Sequence, residues 1–268
     1  MCEPAIEQPA PRRTARGLPQ LVGRMSGVVV QDRPRRTVPG PQRRAVLFRF
    51  LVLAGIWTGL VGLLIAAGEL LTHSVAIAHF DDHVTRAVVD SRTAALNSAM
   101  KYVTWLGSWV ALLVAAIVVV VLVITKRLPP LAVVVAVFAW AGEAGGVRIG
   151  KTVVSRERPP QAIWLVTAHG WSFPSGHTAA ACLAFTALAL CVATPGRPRV
   201  VRILSWLTAG LAIAATAFSR VELGVHWTTD VIASVLFVAA WLTAIAVVLG
   251  ARLRRPEPVL DQSGGRRS

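Results

Sequence analysis

Polar and apolar positions along this chain come in long blocks and do not alternate. Residues 1–45 carry Arg, Pro, Gly and Gln with little apolar periodicity. Such a composition cannot bury enough surface to offset its own ordering entropy, so it reads as a disordered basic tail. Six apolar stretches follow, near 47–69, 102–124, 129–149, 176–194, 201–218 and 228–250. Each approaches the roughly 20 helical residues that cross about 30 Å of hydrocarbon. Pro129 and Pro130 open the third, where a missing N–H costs nothing because the first turn of a helix has no partner for it. The expected fold is an all-α integral membrane protein: a six-helix transmembrane bundle over 46–250, with a second basic tail at 251–268. Between the first two spans lie 32 residues containing His73, His79, Asp81, Asp82, His83 and Asp90. They are too polar to cross and predict a short interfacial helix.

Composition narrows the class further. Hydrophobic residues make up 54% of the chain and charged residues 15%, which excludes a disordered protein, a coiled coil and most water-soluble enzymes. The net charge of +15 would suit a nucleic-acid binder, but its placement argues otherwise. Ten basic residues precede residue 50 and five follow residue 251, so membrane lipids and not nucleic acid are the expected partners. With both termini placed in the cytoplasm, 20 Lys and Arg fall on the inner side and 8 on the outer, the asymmetry that sets orientation. The 25 Arg against 3 Lys, with abundant Ala and Val, suggest a GC-rich bacterial genome and hence the plasma membrane. The three cysteines do not form a disulfide framework. Oligomeric state is not legible.

The outer cations cluster around two connections, and with them come three polar segments. The first runs from Lys151 to Arg158-Pro159, the second is Phe173-Pro174-Ser175-Gly176-His177, and the third runs from Ser219-Arg220 to His226-Trp227-Thr228-Thr229-Asp230. The counted topology brings all three to one membrane face, where ionisable groups are costly and functional use is the default reading. Lys151 and Arg158 are seven apart, so a continued helix would stack them two turns apart on one face. With Arg220 they offer three cations for a phosphoryl group. Ser175 and Gly176 open the fourth span, where free backbone N–H groups attract an anion. His226 and Asp230 are spaced i,i+4, which places both on one helical face. The carboxylate can fix the imidazole tautomer and leave the other ring nitrogen as a nucleophile. His177 would face it as the acid that protonates the departing alkoxide.

These segments, Lys-x6-Arg-Pro, Pro-Ser-Gly-His and Ser-Arg-x5-His-x3-Asp, resemble the tripartite signature of the type-2 phosphatidate phosphatase family. That family comprises membrane lipid phosphate phosphatases, related to glucose-6-phosphatase and the vanadium haloperoxidases. The resemblance covers about 80 residues, 151–230. It implies that His226 forms a phosphohistidine, that Asp230 orients it, and that His177 is the general acid. Lys151, Arg158, Ser175, Gly176 and Arg220 are then the phosphate ligands, with no metal and no cofactor. Thr228 departs from the proline that many members have after the His-aromatic pair. The implied activity is hydrolysis of a lipid phosphate or diphosphate (phosphatidate, phosphatidylglycerol phosphate or polyprenyl diphosphate) at the outer membrane face. The alternatives are a lipid phosphotransferase using the same site and a non-enzymatic anionic-lipid binder or transporter.

Plainer roles are expected elsewhere. His73, His79 and His83 read as interfacial, although His79 and His83 with Asp82 have metal-ligand spacing. Glu143 and Arg148 are expected to pair with each other or with a neighbouring helix. Arg156 and Glu157 read as exposed loop charges. Trp171, Phe173 and Trp227 read as interfacial anchors. Gly55, Gly59 and Gly62 read as sites of close helix packing.

Overall fold

A largely apolar run with no proline after its first residue gives helix α1, Pro41–His73, the longest of the described helices at 33 residues. The computed structural model describes residues 41–253, and the basic tails expected on either side fall outside them but for the ends of the first and last helices. Ser74 breaks the run and starts α2, Val75–Asp90. Thr93 then caps α3, Ala94–Val103, its hydroxyl accepting from Leu96 N at 3.2 Å. A 3₁₀ turn over Thr104–Gly107 leads into α4, Trp109–Ile124. The remaining helices are α5 (Leu131–Val154), α6 (Gly176–Val192), α7 (Arg199–Glu222) and α8 (Thr228–Leu253). Every described element is helical.

Four of these helices are long and apolar enough to cross a membrane, five if the bent α3–α4 pair counts as one span. The sequence reading of six spans therefore differs at two places. The second span was expected as one helix from residue 102, yet the chain bends by 44° between Gly107 and Trp109. Ser108 explains the break, because its hydroxyl accepts from Val110 N at 3.2 Å and caps a new helix there. The fourth stretch, α6, is 17 residues, about 26 Å at 1.5 Å per residue, short of a full hydrocarbon core.

That short helix is the hub. From Thr178 to Ala184 every residue of α6 is buried, and five of the seven are Ala or Thr. Small side chains let α4, α5, α7 and α8 all approach it. The core joins α1, α5, α6 and α8 through Leu53, Leu64, Val147, Leu183, Phe237 and Trp241. Two indoles fasten it with their N–H groups satisfied, Trp57 Nε1 donating to Gly142 O at 2.8 Å and Trp241 Nε1 to Ala139 O at 3.1 Å. The glycines that allow close packing are not those expected in α1. A Cβ at Gly55, Gly59 or Gly62 would meet nothing within 4 Å, whereas one at Gly146 would lie 2.2 Å from the Phe237 ring and one at Gly142 2.5 Å from Trp241.

Candidate active site at the converging helix ends

The C-terminal ends of α5 and α7 and the N-terminal ends of α6 and α8 come together, and they carry all three polar segments. Helix α5 stops at Val154 because Ser155 adopts a left-handed conformation, φ 50°. Lys151 and Arg158 therefore do not share a continued helix face, as the spacing suggested. They meet all the same, because both reach the loop before α6. Lys151 Nζ donates to Trp171 O at 2.6 Å, and Arg158 Nη2 donates to the same carbonyl at 3.2 Å. Arg158 also donates to Gly170 O at 2.9 Å, His169 O at 3.0 Å and Val225 O. A phosphoryl oxygen arriving at Arg158 would compete with these carbonyls.

Arg220 stands differently. It is 5% exposed at the end of α7, with Nη1 donating to Thr104 Oγ1 at 2.7 Å and a buried Nε that has no partner among the described residues. A buried guanidinium N–H without an acceptor is an unmet demand for an anion's oxygen. Thr104 lies in the 3₁₀ turn that interrupts the second span, so the break supplies a residue that steers Arg220. It also lets the chain approach α6: a Cβ at Gly107 would sit 2.4 Å from the His177 carbonyl. Ser175 is the residue before α6 and fully buried, its N–H donating to Ser234 Oγ of α8 at 2.8 Å. Gly176 and His177 follow in the first turn and are half-buried. The charges of Lys151, Arg158 and Arg220 all bear on the His177 imidazole.

After α7 the chain turns through Gly224, φ 76°, where a Cβ would lie 2.4 Å from Ile163 O. Only glycine fits that turn. The turn delivers His226 to a site where it is 2% exposed. Helix α8 begins at Thr228, so His226 precedes it and the pair with Asp230 is not on one helical face. The chain entering α8 still brings the two side chains together, with Nδ1 3.5 Å from Asp230 Oδ2. On the other side of the ring Nε2 lies 3.1 Å from Arg158 Nη1. A guanidinium only donates, so Nε2 is the acceptor and the proton belongs on Nδ1. Burial pushes the His226 imidazole down to about 3, against an upward pull from Asp230. It is therefore neutral at ordinary pH, with a lone pair on Nε2.

Asp230 is fully buried and held from several directions. Its Oδ2 accepts from Trp227 N at 3.0 Å and from Ser172 Oγ. Its Oδ1 accepts from Arg156 Nη1 at 2.7 Å. Arg156 is thus not the exposed loop charge that its position suggested. It is 6% exposed and bridges two carboxylates, the second being Asp81 of α2, whose Oδ2 accepts from Nη2 at 2.8 Å. Local composition hid both residues, since each partner is more than 70 positions away. One signal was present: Asp81 and Thr85, four apart, share the buried face of α2, while His79, His83 and Arg86 are exposed.

Other expectations meet different outcomes. Glu157 is exposed, and Phe173 is fully buried in the core and not an interfacial anchor. Trp227 is half-buried, its indole donating to Glu157 O at 2.9 Å. Arg148 is exposed and Glu143 buried, and no ion pair joins Glu143 to a partner among the described residues. His73 pairs with Glu69 at 3.4 Å, and among the described residues no cluster of metal-ligating side chains includes His79 and His83.

Comparison with known proteins agrees with this arrangement of helices. A crystal structure described as the first transmembrane PAP2-type phosphatidylglycerolphosphate phosphatase, from Bacillus subtilis, superposes with a TM-score of 0.64 at 22% identity, covering 74% of this chain and 97% of that one. At that identity the likeness speaks for the fold. No curated protein matches the chain. The family model of the PAP2 superfamily matches residues 109–254, more than half of the 268 residues and all three polar segments, and the chain belongs to that superfamily.

Proposed function

We propose that this membrane protein hydrolyses a lipid phosphate or diphosphate through a phosphohistidine at His226. The observation that carries the reading is the placement of that one ring, with Nδ1 facing Asp230 at 3.5 Å and Nε2 held as an unprotonated acceptor beside Arg158. In the first step Nε2 attacks phosphorus, the P–O bond to the lipid alcohol breaks, and His177, which takes up its proton once the bound phosphate offsets the charges of Lys151, Arg158 and Arg220, gives that proton to the leaving oxygen. Lys151, Arg158, Arg220 and the backbone N–H of Gly176 stabilise the equatorial oxygens, the dominant contribution in phosphoryl transfer, while Ser175, whose own N–H is taken by Ser234 Oγ, sets the start of α6 beneath them. In the second step His177 takes a proton from water, the hydroxide attacks phosphorus, and the N–P bond breaks to return neutral His226. Asp230 balances the imidazolium in between.

The substrate class follows from the surroundings: apolar helices on every side suit a substrate whose chain stays in the bilayer. Phosphatidate, phosphatidylglycerol phosphate and polyprenyl diphosphate fit. The Lys and Arg asymmetry favours cytoplasmic termini and a site at the outer leaflet of a bacterial plasma membrane. The test is phosphate release by the purified protein from each of these three lipids, with a His226→Ala variant alongside. Release by the wild type and none by the variant supports the reading. Equal release by both, or none by either, contradicts it.

A further inference from the structure

We infer that Asp81, on a helix outside all three motif segments, is a positioning residue for the nucleophile: it holds Arg156, and through Arg156 the Asp230 carboxylate, behind His226. The inference rests on the phosphohistidine reading and extends it to a residue with no contact to substrate.

The geometry is a closed buried lattice. Arg156 presents Nη1 to Asp230 Oδ1 at 2.7 Å and Nη2 to Asp81 Oδ2 at 2.8 Å. Thr229 closes the loop, its hydroxyl accepting from Arg156 Nη1 at 2.8 Å and donating to Asp81 Oδ2. Asp81 Oδ1 accepts from Thr229 N at 3.0 Å. This last bond reaches the first turn of α8, so Asp81 also fixes the helix end from which Asp230 projects. Asp81 is 1% exposed and Asp230 fully buried. Isolated charges there would be prohibitively costly, and the guanidinium fork, with donors on both Nη1 and Nη2, serves the two carboxylates at once.

The charge count gives this lattice a chemical purpose. One cation between two anions gives this cluster a net negative charge on the Nδ1 side of His226, opposite the Arg158 cation at Nε2. If Arg156 faced Asp230 alone, the pair would be neutral. The imidazolium that forms when Nε2 bonds to phosphorus would then lose its counter-charge. Asp81 engages one side of Arg156 and so keeps Asp230 effective as an anion.

The experiment uses the purified full chain and whichever of the three lipids above it turns over fastest, with inorganic phosphate as competing ligand. Asp81→Asn keeps the shape and an acceptor for Thr229 N but removes the charge. The expected result is a fall in kcat of roughly 10- to 100-fold, the usual cost of losing an outer-layer partner of an active-site group. KM and the inhibition constant for phosphate should stay within about twofold, because neither reads the imidazolium. Asp82→Asn, one residue along and paired with exposed Arg86, should match the wild type. A kcat for Asp81→Asn within about twofold of wild type, or a loss confined to KM, overturns the inference. Should that variant fail to fold, Thr229→Val decides. It removes the hydroxyl that bonds both Arg156 and Asp81 while leaving the two ion pairs, and should lower kcat about 3- to 10-fold, and an unchanged kcat overturns the inference. A wild type inactive on every lipid refutes the functional reading itself, a distinct outcome.

Discussion

Helices α5 and α8 join two different kinds of material. At one end Asp81, Arg156, Ser172, Arg220, His226 and Asp230 are all buried and tied by directional hydrogen bonds. At the other, Phe50, Phe138 and Trp241 stack edge to face or tilted, with centroids 5.3 to 5.4 Å apart, beside Leu53, Ile245 and Leu249. The apolar end is held by volume, and many side chains of similar size would serve. The polar end is held by matched donors and acceptors, where changing one atom strands another. Chemistry and stability should therefore respond to mutation separately, and this separation can be tested.

The largest effect is expected at the polar end. Arg220→Gln removes the guanidinium with the unmatched N–H, and kcat should fall roughly 10²- to 10³-fold, as when an oxyanion donor is lost. Stability should fall by only about 1 kcal/mol, the worth of the bond to Thr104. Loss of stability with normal turnover per folded molecule would reverse the assignment of the two ends. Trp241→Ala is the converse. Trp241 is 1% exposed, and truncation should cost about 3–5 kcal/mol of stability by cavity formation, read by thermal denaturation in detergent. The protein that remains folded should turn over normally.

A smaller contrast separates two glycines. At Gly146 an added methyl meets the Phe237 ring at 2.2 Å, and Gly146→Ala should destabilise by about 1–3 kcal/mol through overpacking. At Gly59 nothing lies within 4 Å, and Gly59→Ala should be neutral. Equal losses at both would mean that α1 packs against something on that face.

The subtlest prediction concerns protons. Because burial holds His226 near 3, well below the usual value of about 6.5, lowering the pH from 8 to 5 leaves its ring neutral. Its labelled Cε1 carbon should show no titration by NMR across that interval. A midpoint near 6.5 would mean that water reaches the ring and the nucleophile is not pre-formed.

How much of this could be read from the chain depends on where each residue's partner lies. The apolar stretches and the three segments were legible because their information is local: run length for the helices, fixed spacing for Lys151 to Arg158 and for His226 to Asp230. The break over Thr104–Gly107 was not, since hydropathy continues across it and only the Ser108 hydroxyl marks the new start. The left-handed Ser155 was equally hidden, and it undid the helical stacking of Lys151 and Arg158 without preventing their meeting. Arg156 looked like any solvated charge. What makes it special is two carboxylates from distant helices, and no pattern within its own neighbourhood encodes them. Gly55, Gly59 and Gly62 failed for the opposite reason: a regular spacing of small residues was present with no helix opposite to use it.

The central claim is that phosphate passes through a covalent bond to His226, and stereochemistry at phosphorus tests it most directly. With an oxygen-isotope-labelled chiral phosphate ester transferred to a labelled acceptor, two successive in-line displacements predict overall retention of configuration. Inversion would mean a single direct attack by water or alcohol, and it would contradict the account.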